Sequence, residues 1–81
     1  MFQRIKNKVI VPRAAVALFN LQWPCSTLRD SRAYWFEFDD GGDLVDTDCP
    51  EQDGGPAVAA IADDCKAWLF DDTDPDWFLP Q

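Results

Sequence analysis

Arg32-Ala33-Tyr34-Trp35-Phe36-Glu37-Phe38, then Asp39-Asp40-Gly41-Gly42, then Asp43-Leu44-Val45-Asp46-Thr47-Asp48: this is the stretch that decides the fold. Its first third is dense in aromatic strand formers, which pack well on a pleated surface. Tyr34, Phe36 and Phe38 alternate with Trp35 and Glu37, so one face is apolar and the other amphipathic. Asp39–Gly42 supplies residues that tolerate a positive φ, as a tight turn needs. The remaining six residues return as a second strand. The reading is a β-hairpin.

Upstream, Val9-Ile10-Val11 is a β-branched run that forms a short strand. Pro12 stops a ladder and suits the first turn of a helix. Arg13–Leu21 is rich in Ala and Leu, which favours helix over residues 12–22. A continuous strand from Lys8 through Phe19, with Pro12 at an edge, is the alternative. Trp23-Pro24 ends that element. Cys25–Arg32 is a connector.

Downstream, Cys49–Gly55 is a loop, and Pro56 occupies an N1 position. Val58, Ile61, Cys65, Trp68 and Leu69 recur at helical spacing, predicting a helix over Pro56–Phe70 with Asp63, Asp64 and Lys66 toward water. The tail holds Trp77-Phe78-Leu79, aromatics that point to a segment packed back onto the body. The fold class is α+β. One domain covers residues 1–81: an antiparallel hairpin or three-stranded sheet against one or two helices. Apolar residues make up 47 % and aromatics 14 % of the 81, enough for a core despite the charge.

Charge is sorted along the chain. Residues 1–36 carry six bases and one acid, and residues 37–81 carry fourteen acids and one base, within a total of −8. A surface this negative attracts cationic partners and repels nucleic acid and anionic lipid. The candidate partner-binding acids are Asp39, Asp40, Asp43, Asp46 and Asp48 on the hairpin, and Asp63, Asp64, Asp71, Asp72, Asp74 and Asp76 on the helix and tail. Glu51 and Asp53 lie between the two groups. Trp77 is the candidate aromatic anchor, because Trp is a frequent interface residue. In extended backbone, Asp46/Asp48 and Asp72/Asp74/Asp76 place carboxylates ~6.6 Å apart on one face. Successive phosphates of a nucleic-acid strand are separated on a similar scale, so such a row can enter a groove built for a phosphate backbone. The plainer account is that these acids only keep a small protein in solution. Against it, Asp71 and Asp72 stand at a helix C-terminus, where the macrodipole disfavours negative charge. The N-terminal bases, for their part, are read as neutralising the acidic hairpin within the fold.

Catalysis is not indicated. The chain has no His, which removes the commonest general base and metal ligand. Cys25, Cys49 and Cys65 form no Cys-x-x-Cys pair, so structural zinc is not expected. Three cysteines at irregular spacing read as reduced thiols, with one bridge plus one free thiol as the alternative. Asp46–Ala57 fails as a calcium loop, because Glu51 replaces the required Gly and Ala57 the final Glu. No cofactor is expected. Residues 1–13 do not read as a secretory leader, and Ala14–Leu21 is too short for a membrane span. The expected location is the cytoplasm of a bacterial host.

In size, acidity and α+β reading, the chain resembles the small anti-defence proteins encoded by bacteriophages, among them anti-CRISPR proteins and DNA mimics. The acidic hairpin Tyr34–Asp48 and the acidic segment Asp63–Asp76 carry the resemblance. It implies an inhibitor that binds the basic nucleic-acid-binding surface of a defence complex, such as a CRISPR effector, without contacting nucleic acid or membrane. The competing reading is a small adaptor or subunit recognised through exposed aromatics, Trp77-Phe78 above all. A third is a buffer of divalent metal.

Overall fold

Two β-branched residues on one side of a short strand and three aromatics on one side of another make the floor of this molecule. The computed structural model describes residues 3–24, 28–29, 32–49, 55–75 and 77. Its elements are β1 (Gln3–Ile5), β2 (Lys8–Val11), α1 (Arg13–Gln22), β3 (Tyr34–Phe38), β4 (Leu44–Thr47) and α2 (Pro56–Asp71). The strands form one antiparallel sheet in the order β1-β2-β3-β4.

Register fixes which side chains meet. Val9 pairs with Phe36 and Val11 with Tyr34, and all four are buried. On the opposite face Lys8 pairs with Glu37 and Ile10 with Trp35, and all four are only half-buried. The helices therefore cover one face, giving two layers and extents of 31 × 31 × 16 Å. A single core cluster unites Val9, Val11, Tyr34, Phe36 and Phe38 with Ala15, Val16 and Phe19 of α1 and Val58, Ile61, Cys65 and Leu69 of α2. The 3.6-residue spacing of the α2 set is what brings it to one stripe.

The α+β reading holds, and residues 13–22 are helix, with Pro12 in extended backbone immediately before it. The sheet has one strand more than expected. β1 is exposed at all three residues, so it has no buried face to announce it. It reaches β2 through Lys6-Asn7, with Lys6 at φ 56°. Asn7 O accepts from Phe38 N at 3.0 Å, which ties this turn to the end of β3. The second hairpin is shorter than the alternation implied, and its register shifts between Glu37 and Phe38. Gly42 takes φ +88° there, and the Lys66 methylenes lie so close that a Cβ would stand 3.0 Å from Lys66 Cε. Glycine alone meets both demands without strain.

The tail does pack back as far as it is described. Trp77 is 3 % exposed and meets Phe19 edge-on at 5.3 Å. Cys49 and Cys65 are both buried, and Cys65 is a free thiol. Burial, then the charge of Asp64, pushes the Cys65 thiol far above its ordinary pKa. Cys25, Glu51, Asp53, Asp76 and Phe78 lie outside the described residues.

Candidate functional site: an acidic end where two helices finish

The carboxyl ends of both helices meet. Gln22 and Trp23, at the end of α1, line a cleft of about 240 Å³ with Asp64 and Ala67 of α2 and with Thr73, Asp74, Pro75 and Trp77 beyond it. Neither helix has a basic residue in its last turn. The partial negative charge of the α1 C-terminus is thus left without a base of its own, with the exposed Asp74 carboxylate beside it. α2 terminates on Asp72 in the left-handed conformation, φ 54° and ψ 32°, and its cap N–H returns to Ala67 O. That termination is the geometry usually given to Gly.

The same end of α2 lies against the turn end of the sheet. Phe70 meets Phe38 edge-on at 6.3 Å, and Arg4 Nη1 donates to Leu69 O at 3.4 Å. The Phe38–Phe70 contact thus brings the start of the β3–β4 turn, where Asp39 follows Phe38, toward the end of α2, where Asp71 follows Phe70. Two bases reach this region: Arg4 at Leu69 O, and Lys66, whose methylenes lie against Gly42. Arg4 lies over the Trp68 ring at 5.7 Å and is spent on the helix end.

The carboxylates differ in what holds them. Asp39 Oδ1 accepts from Gly41 N and Asp43 N, each at 2.9 Å, and so organises the turn. Asp40 Oδ1 accepts from Asn7 Nδ2 at 3.0 Å, joining the two hairpin turns. Asp46 Oδ1 accepts from Thr47 N at 2.8 Å. Asp48 accepts from Arg32 Nη1 at 3.1 Å and from Trp35 N at 2.9 Å. Burial pulls the Arg32 pKa down, but the hydrogen bond and charge of Asp48 outweigh that and raise it. Asp64 Oδ2 accepts from Trp77 Nε1 at 2.6 Å. Among the described residues, the side chains of Asp43, Asp63, Asp71, Asp72 and Asp74 make no hydrogen bond or ion pair, and Arg32–Asp48 is the sole ion pair.

Several expectations are corrected. Trp77 is not an exposed anchor: its ring is worth more against Phe19, with its N–H bonded to Asp64, than in water. Asp64 does not face water freely, since it is half-buried under that indole. The N-terminal bases do not neutralise the hairpin as a group. Among the described residues only Arg32 pairs with an acid, while Lys8 sits over Trp35 at 4.3 Å and Arg4 over Trp68. Asp46 faces Glu37 directly across the strands on the uncovered face, a like-charge pair on a different side from the helix-end acids.

The aromatics that are exposed at the acidic end are Trp23, at 49 %, and Phe70, at 40 %. Sequence reasoning used Trp23 only as the end of a helix. The signal for more was its place just past an apolar helix and before a proline, where no core position remains for it.

Among the described residues, no group of three or more Cys, Asp or Glu is placed to hold a metal ion. No helix among them is long and apolar enough to cross a membrane. What the arrangement offers chemically is a field: several unpaired carboxylates, two helix C-termini and two half-exposed rings. No protein-family model, no curated protein and no solved structure matches the chain.

Proposed function

We propose that this protein acts by binding, without catalysis, and that its acidic end docks on a cationic nucleic-acid-binding surface of another protein. A CRISPR effector or another complex of bacterial defence is the class of target that the phage anti-defence resemblance favours. One observation carries the reading: the side chains of Asp71, Asp72 and Asp74 stand unpaired at and beyond the end of α2, where Arg4 meets the Leu69 carbonyl but no acid, beside an α1 end that has no base in its last turn. An isolated fold gains stability by placing Lys or Arg there. Leaving the charge unmatched makes sense if a partner supplies the match. Trp23 and Phe70 give that surface the apolar contacts that charge alone lacks.

The test is competition. Purified nucleic-acid-binding complexes, CRISPR effectors first, are titrated with this protein in the presence of their DNA or RNA. The expected result is one-to-one binding that excludes the nucleic acid and weakens steeply with salt. Asp71→Asn/Asp72→Asn/Asp74→Asn should weaken it far more than Lys6→Gln/Lys8→Gln. Salt-independent binding, or equal loss from the two variants, would overturn the reading. The adaptor reading through Trp77 loses its main residue to the core, and Trp23 becomes the aromatic to test in its place.

A further inference from the structure

The cleft between the helix ends has a shape and lining that name one kind of side chain. We propose that it receives an arginine side chain of the partner protein. This rests on the reading that the partner is cationic, and it specifies which residue engages and where.

Four features converge. The cleft holds about 240 Å³, room for a guanidinium and the end of its aliphatic stem. Trp23 is a half-exposed wall, and an indole face attracts a cation within about 6 Å of its centroid. Asp74 lines the cleft with no internal partner, and Asp64 lines it with one oxygen bonded to Trp77. A carboxylate offers about four acceptor positions, so Asp64 keeps capacity for a further donor. The last turn of α1 ends here without a basic residue, and its dipole favours a cation; α2 ends nearby with its Leu69 carbonyl already met by Arg4. A planar guanidinium stacks on an indole and donates to two carboxylates at once, whereas an ammonium is a strongly hydrated point charge. That difference selects arginine over lysine. Gln22 and Thr73 add polar atoms at the rim.

The fold anchors the site where anchoring matters. Asp64 lies on α2 and is clamped by the Trp77 indole. Thr73 N donates to Ala67 O at 3.2 Å, fixing the backbone immediately before Asp74. Trp23 N donates to Phe19 O at 3.0 Å and fixes the opposite wall. Little has to be ordered when the ligand enters, so little of the interaction is lost to entropy.

The experiment uses the intact protein, labelled for NMR at low ionic strength, and three probes: N-acetyl-arginine amide, N-acetyl-lysine amide and N-acetyl-citrulline amide. Citrulline keeps the shape and removes the charge. The arginine probe is expected to shift the Trp23 indole N–H and the amides of Gln22, Thr73 and Asp74. Lysine should do so several-fold more weakly and citrulline not at all. Asp74→Asn and Trp23→Leu should each weaken arginine binding at least threefold while leaving the melting temperature close to wild type, because both positions are exposed. An equal response to arginine and lysine overturns the proposal. So do shifts spread over Asp39–Asp43 and Asp71–Asp72, which show general attraction of cations and leave the cationic-partner reading standing. Silence from every probe overturns the pocket. It leaves the broader reading to be decided by the competition with nucleic acid.

Discussion

The acids of the second hairpin and those around the end of α2 have the same charge but different duties. On the hairpin, Asp39, Asp40, Asp46 and Asp48 each accept a hydrogen bond from a neighbouring N–H, backbone or side chain. Around the helix end, the side chains of Asp71, Asp72 and Asp74 accept none, and of these carboxylates Asp64 alone is engaged. One acidic run is therefore part of what shapes the backbone, and the other is carried at the expense of stability. A count of carboxylates treats the two alike. Their hydrogen bonds separate them.

The largest effect should come where the helix region is tied. Trp77→Ala removes a buried ring and the donor to Asp64, and should cost about 3 kcal/mol in denaturant unfolding. A loss under about 1 kcal/mol would mean that the tail adds little to the core. Next, Asp48→Ala should cost about 1–2 kcal/mol, because it leaves Trp35 N without its acceptor as well as removing the Arg32 ion pair. Most of that belongs to the backbone hydrogen bond, since Arg32 is half-exposed and its ion pair is screened. If Arg32→Ala cost as much as Asp48→Ala, the hairpin acids would be acting as charges and the contrast would fail.

Cys65 reports on the helix region through pH. Its folded pKa is raised by burial and then by Asp64, so the fold keeps a proton that the unfolded chain releases near 9.0. Stability from this group is full below that pH and falls above it, by about 1.4 kcal/mol per pH unit. Urea midpoints between pH 8 and 10 should decline more steeply in the wild type than in Cys65→Ala, and parallel slopes would contradict the burial of the thiol. The smallest effect has the opposite sign. Asp71→Asn/Asp72→Asn should gain about 0.5–1 kcal/mol at low ionic strength, with the gain shrinking as salt screens the helix end. A loss would place those two acids with the hairpin group.

Much of the architecture was legible because it rests on local periodicity. Val58, Ile61, Cys65 and Leu69 give α2 its buried stripe, and Tyr34, Phe36 and Phe38 give β3 its inner face. Pro12 and Pro56 stand just before α1 and at the start of α2. β1 was not legible, since an edge strand with no buried residue lacks an alternation to read. The candidate site was legible only as charge. The Asp64–Trp77 bond spans thirteen residues and the Asn7–Asp40 bond thirty-three, and no spacing rule reaches that far. The convergence of two helix ends is a property of packing, which composition does not encode. Trp23 was passed over for the same reason.

The excursion through α1 has a kinetic consequence. β3 and β4 are joined across the five residues 39–43, whereas β2 reaches β3 only after the 22 residues 12–33. Closing the longer loop costs about 1.3 kcal/mol more in chain entropy. Nucleation should therefore begin in the acidic hairpin, with β2 and then β1 added to a template already made. Residue-by-residue transition-state values near one at Phe36 and near zero at Val9 would be the signature of that order.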